Sequence, residues 1–168
     1  MFDHQAAINP VCRRECPTRW CCATGFLVSV PLSEAEIHRI ADRVGRNDFH
    51  RMTSSGSVLR TRPNGYCVFF DPVVRSCTIY PDRPFDCRLY PFDFYTAFGR
   101  LQWLLWDCPY SRHLTPSGIE TELTRLETDC LAELDRIWDY ENESIDLDHP
   151  DGFRVLRRMR VRRPITSL

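Results

Sequence analysis

The sequence predicts a small α+β domain with short β-hairpins, two main helices and a cysteine-ligated metal core. Three observations carry that prediction. Eight of the nine cysteines fall in one ordered series: Cys12, Cys16, Cys21, Cys22, Cys67, Cys77, Cys87 and Cys108. Short apolar runs that stop at Pro, Gly or Asp read as strands. Two longer stretches show helical periodicity behind recognisable caps. A chain of 168 residues, 43% hydrophobic and 12% aromatic, suits one globular unit with a modest core. Residues 1–168 are therefore read as a single domain, with the metal-binding core at 12–108 and a C-terminal helical region at 115–168.

The elements follow in order. Residues 26–30, Phe-Leu-Val-Ser-Val, read as a buried strand stopped by Pro31. Ser33-Glu34-Ala35-Glu36 is a capping box, in which the Ser33 hydroxyl and the Glu36 carboxylate satisfy each other's free backbone amides. Ile37, Ile40, Ala41 and Val44 give that helix its apolar stripe, and Gly45 its stop. Residues 46–65 are polar and aperiodic, and read as a long surface loop and candidate lid. Residues 66–70 and 77–80 make a hairpin around Asp71-Pro72, with Cys67 and Cys77 on its two strands. Residues 92–98 and 101–106 make a second, turning at Gly99-Arg100, with Cys108 at its exit. Thr115-Pro116 is a favoured N-cap and first-turn pair. From it a helix runs to about Tyr140, its face formed by Ile119, Leu123, Leu126, Cys130, Leu134 and Ile137.

Charge excludes some functions. The formal net charge is -1, which argues against a dedicated nucleic-acid binder. All 22 basic Lys and Arg positions are arginine, which base-composition bias explains without any function. Acidic residues Asp139, Glu141, Glu143, Asp146, Asp148 and Asp151 precede a tail with Arg154, Arg157, Arg158, Arg160, Arg162 and Arg163. The tail reads as a solvated terminal helix paired with those acids. No signal-peptide pattern and no run of about 18 apolar residues occurs, so no membrane association and a cytoplasmic location are expected. There thiols stay reduced and available to metal.

Clustered thiolates point to a soft metal such as zinc or an iron–sulfur centre. Close spacings on turns let backbone amides point at sulfur and offset its charge. Cys21 and Cys22 are adjacent, and neighbouring side chains in extended backbone face opposite ways, so the pair serves two centres or one centre and the core. Eight thiols suit two four-coordinate sites, or one cluster and one zinc. Cys130 sits where a helix face needs a small hydrophobe and is left out of the ligand set. Arg83 and Arg88 flank Cys87 and are candidate cofactor-binding cations, with ion pairs to Asp82 or Asp86 as the plainer reading. Tyr80, Phe85, Tyr90 and Phe92 are placed to shield a cluster, or simply to fill the core. Among the histidines, only His113 is spaced to stand in for a thiolate.

The segments Cys12-Arg13-Arg14-Glu15-Cys16, Cys21-Cys22, Gly65-Tyr66-Cys67-Val68-Phe69, Cys77-Thr78-Ile79-Tyr80-Pro81-Asp82-Arg83-Pro84 and Cys87-Arg88-Leu89-Tyr90-Pro91-Phe92 resemble the YkgJ-type cysteine-cluster family of zinc- or iron-chelating domains. The likeness covers residues 12–108. The first cysteines depart from the family's usual C-x2-C-x2-C-C, being spaced by three and four. The resemblance implies metal binding, often as iron–sulfur. A larger relative, flagellin lysine N-methylase, implies a methyl-transfer role with S-adenosylmethionine beside a redox one. No Gly-rich nucleotide motif and no C-x3-C-x2-C triad accompanies it here. The expected function is thus a cysteine-cluster metal protein holding an iron–sulfur cluster, its protein partner or substrate unspecified. The alternatives are a zinc-stabilised interaction module and a metal-handling protein.

Overall fold

The computed structural model describes residues 10–11, 14–16, 30–97, 100–140 and 152–160. The α+β class holds: helices and small antiparallel sheets alternate along the chain. Two compact units form, residues 1–90 and 91–168.

In the first unit, strand β1 (Pro31–Leu32) enters helix α1 (Glu34–Val44). The capping box is present as predicted: Glu36 N donates to Ser33 Oγ at 3.2 Å and Ser33 N to Glu36 Oε2 at 2.8 Å. Gly45 ends the helix at φ 68°, the left-handed conformation that a residue without Cβ adopts freely. Pro31 begins a strand; of the strand expected at 26–30, Val30 lies outside any strand and the rest lies outside the described residues. β1 is a sheet edge, where a missing N–H costs no ladder bond.

Residues 46–65 are not a long loop or lid. They contain β2 (His50–Thr53) and β3 (Gly56–Leu59), joined by Ser54-Ser55 in a two-residue turn with Thr53 opposite Gly56. β3 lies between β1 and β2. The sheet is buried through Val58 and Leu59, while Arg51 and Met52 face solvent, which is why the stretch reads as polar.

The next hairpin is shorter than expected. Only β4 (Phe70–Asp71) and β5 (Ser76–Cys77) pair. Asp71 Oδ1 closes the turn by accepting the Val73 and Val74 amides at 2.8 and 3.2 Å. Cys67 is not on a hairpin strand but on an isolated bridge to Thr61. A 3-10 turn (Tyr80–Asp82) and a short helix α2 (Phe85–Leu89) complete the unit. Val30, Leu32, Ile40, Phe49, Leu59, Phe69, Phe70 and Ile79 form its core with Cys67.

The second unit is built on longer elements. β5 is followed in chain order by β6 (Phe92–Ala97) and β7 (Arg100–Trp106), which pair along their full length. Arg100 pairs with Ala97, so it belongs to the strand rather than the turn. Thr115 caps helix α3 (Pro116–Asp129), accepting Gly118 N–H at 3.1 Å. The single helix expected to Tyr140 is two: α3 ends at Cys130 (φ -121°), and α4 (Leu131–Tyr140) starts beyond it. Ile119, Leu123, Leu126, Leu134 and Ile137 are buried as the periodicity requires.

The predicted terminal helix is a strand. β8 (Phe153–Arg158) pairs with β7, with a bulge between the Gln102 and Leu104 pairs. Arg157 of β8, and Arg160 just beyond it, meet helix α3; residues 141–151 of the acidic run lie outside the described residues. Arg157 donates to Glu120 and Glu127 at 2.9 and 2.8 Å, and Arg160 pairs with Glu120. No helix among the described residues is long and apolar enough to cross a membrane.

Candidate metal centre

Three thiols of the first unit come from three short elements. Cys67 sits on the bridge to Thr61, Cys77 ends β5 opposite Phe70, and Cys87 is the middle residue of α2. All three belong to one core cluster, Cys67 buried within it and Cys77 and Cys87 packed against it. The thiols also sense each other electrostatically. Burial pushes the Cys87 thiol well above its ordinary range; the charges of Asp86, Cys67 and Cys77 push the same way, while Arg83 pulls it down. Cys87 keeps some exposed surface, yet enough protein surrounds its sulfur to withhold solvent. A thiol so placed is uncharged until a cation compensates its thiolate.

Helix α1 fixes the segment that carries Cys87. Glu36 is buried, and while its Oε2 completes the capping box, its Oε1 accepts the Phe85 N–H at 2.6 Å. One carboxylate thus serves the first turns of two helices. Arg39 Nη2 donates to the Asp82 and Arg83 carbonyls at 3.2 Å each. Neither contact was read from the sequence: Glu36 and Phe85 lie 49 positions apart, and the box explains Glu36 without a second role. The Pro81 and Pro84 pair was the one local signal for the turn and helix.

Arg83 is 8% exposed. Its Nε donates to the Tyr80 carbonyl at 3.1 Å and its guanidinium carbon lies 3.8 Å from the Tyr80 ring centroid. Asp82 pairs with Arg43 at 3.5 Å. The Arg88 guanidinium lies farther from its ring, 5.7 Å from the Phe85 centroid. Phe85 and Phe92 are buried, each in its own unit.

Arg75 ties in the first cysteine segment. It adopts φ 51°, uncommon for a side-chain-bearing residue, and its Nη2 donates to the Cys16 carbonyl at 3.1 Å. Cys16 is thereby joined to the turn that leads into Cys77. Cys12, Cys21 and Cys22 lie outside the described residues.

Cys108 lies in the second unit, buried in a local ring of bonds. Its N–H donates to Ser111 Oγ at 3.0 Å, and that hydroxyl donates to the Cys108 carbonyl at 2.9 Å. His113 follows, exposed. Two sulfurs share one feature: Cys67 Sγ accepts Phe69 N–H and Cys108 Sγ accepts Ser111 N–H, both at 3.4 Å. Backbone amides aimed at buried sulfur favour the thiolate a metal requires. Cys130, at the C-terminal cap of α3, differs: its sulfur accepts from the Arg125 guanidinium at 3.5 Å. Among the described residues, no three His, Cys, Asp or Glu side chains are drawn together as a ready-made metal site.

Residues 11–109 match the CxxCxxCC family, described as "Putative zinc- or iron-chelating domain". The chain belongs to this family. As a member it is a metal-binding cysteine-cluster protein, and the matched span runs from just before Cys12 to just past Cys108, taking in all eight cysteines of the series. No curated protein and no solved structure matches the chain. The donor set fits the family's description: buried sulfurs with amide donors select zinc or iron over harder ions.

Proposed function

We propose that this chain is an iron–sulfur protein whose cluster is held by cysteines of the first unit, with Cys67, Cys77 and Cys87 as its core ligands. The observation that supports the reading is that three short, separate elements bring these residues to one hydrophobic core, Cys67 within it and Cys77 and Cys87 against it, where Cys87 feels the other two. Cys16, whose carbonyl accepts from Arg75 near Cys77, and its sequence neighbours Cys12, Cys21 and Cys22 are the ligands that would complete the set. A cluster would supply one-electron redox chemistry, its potential governed by burial and by hydrogen bonds to sulfur. This chain's part is to bind and shield: Phe69 N–H supports the Cys67 sulfur, and Phe70 and Ile79 exclude water from the cluster.

One observation favours a zinc-stabilised module instead. β1, β4 and β5 have two residues each, so the first unit has little ladder of its own and a structural metal would hold it. Metal and acid-labile sulfide, quantified on protein purified anaerobically, separate the two. A broad band near ~400 nm with stoichiometric sulfide supports the cluster. Colourless protein with one or two zinc ions refutes it and supports the module.

A further inference from the structure

Helix α1 grips the segment leading to Cys87 along one face. Glu36, 6% exposed, accepts the Phe85 N–H on its Oε1 at 2.6 Å. Arg39 lies on the same face and donates to the Asp82 and Arg83 carbonyls, and Arg43, a turn further, pairs with Asp82. Helix α2 cannot supply the first of these contacts itself. It has five residues, Pro84 at its N-cap brings no side-chain acceptor, and the Phe85 amide is one that no carbonyl within the helix reaches. The cap therefore comes from 49 positions upstream, and Cys87 lies in the turn that it starts. The same carboxylate is engaged at its other oxygen: Oε2 accepts the Ser33 N–H at 2.8 Å and the Ser33 hydroxyl at 2.9 Å. Both oxygens face donors, so the role needs a carboxylate; a glutamine would turn its NH2 on one of them.

We propose that Glu36 is the positioning residue of Cys87, capping from α1 the helix that carries this thiol, so that the first unit keeps hold of its metal. The inference rests on the metal-binding reading above, with Cys87 among the ligands. Glu36 acts through the Phe85 backbone rather than on the metal. Loss of one buried bond of this kind raises the open population of a short helix about ten-fold. A ligand whose support is loosened in this way releases its metal sooner.

The test compares wild type, Glu36→Met, Glu36→Gln and Ser33→Ala as full-length protein carrying the metal with which it is purified. Two quantities are measured. One is hydrogen exchange at the Arg88 and Tyr90 amides, which bond to the Pro84 and Asp86 carbonyls across α2. The other is the rate at which EDTA strips the metal. Glu36→Met keeps the volume and removes both acceptors, and is expected to speed exchange and metal loss about ten-fold. Glu36→Gln keeps one acceptor and is expected between it and wild type. Ser33→Ala removes the box hydroxyl but leaves the Phe85 bond, and is expected to leave both quantities near wild type. Exchange at Arg88 and Tyr90 that rises no more than at Leu59, whose amide bonds to Val30 in the same unit, overturns the proposal, since Glu36 would then serve the unit as a whole. That comparison is read from Glu36→Gln should Glu36→Met fold poorly. Faster exchange with unchanged metal loss overturns it as well. Wild-type protein purified without metal would bring down the metal-binding reading itself, and this proposal with it.

Discussion

The two units keep their interiors by different means. In the second, strands of six and seven residues pair along their length, and α3 adds fourteen residues of helix. Its buried charge is answered by protein: Glu127 receives the Trp103 indole N–H at 2.8 Å, the Arg160 N–H at 2.9 Å and the Arg157 guanidinium at 2.8 Å. In the first, β4 and β5 have two residues each, and Cys67, Cys77 and Cys87 lie in or against the core, with Arg83 the cation that acts on Cys87. On the reading proposed above, the second unit stands as a polypeptide and the first is completed by the metal it binds.

The most severe way to break this contrast is to take the metal away. Chelation, or Cys77→Ser, is expected to remove protection on the order of 10 kcal/mol from the first unit. Hydrogen exchange would show amides of β2 and β3 losing protection while those of β6 and β7 keep theirs. Equal loss in both would mean that the second unit is not self-sufficient.

Glu127→Ala attacks the other side of the comparison. It leaves Arg157 and the Trp103 N–H without their buried partner, a loss of about 3–5 kcal/mol. Urea unfolding should report it, with metal content unchanged. The sign with pH is also set. Burial pushes the Glu127 carboxyl up, but its bonds to Arg157, Arg160 and Trp103 outweigh that and hold it below its ordinary value. Its stabilising contribution is therefore present above the ordinary carboxylate range and is lost as pH falls.

Asp93 sharpens the contrast within the second unit. It too receives an indole N–H, from Trp106 at 2.9 Å, and the Phe94 amide at 2.7 Å. Burial prevails over both bonds, and its carboxyl rises from 3.8 to about 6. The folded state then holds a proton that the unfolded state releases, so this group's contribution falls as pH rises from 3.8 to about 6. Asp93→Asn should abolish that fall, worth roughly 2 kcal/mol, in unfolding midpoints measured across the window. An unchanged profile would show that Asp93 ionises normally.

Local features were legible in the sequence. The Ser33 box, the Gly45 stop, the Thr115 cap and the paired runs at 92 and 101 each depend on neighbours a few positions away. What escaped was set at a distance or masked by exposure. β2 and β3 carry solvent-facing Arg51 and Met52 and turn at two serines, so neither alternation nor a glycine pair announces them. β8, Phe-Arg-Val-Leu-Arg-Arg, has a bulge that breaks its period, and its partner lies about fifty residues earlier. The cysteine series was plain in the sequence, but that Cys67, Cys77 and Cys87 meet at one hydrophobic core is shown only by the fold. Arg83 was legible as a candidate cation, but its stack on Tyr80 was not.

The shared carboxylate of Glu36 imposes an order on assembly. Its bonds to Ser33 span three residues and need only one turn of chain to close, whereas its bond to Phe85 closes a loop of 49. Short loops close fastest. The first helix is thus finished while half of its glutamate still faces water, and that free oxygen awaits the amide that begins the Cys87 helix.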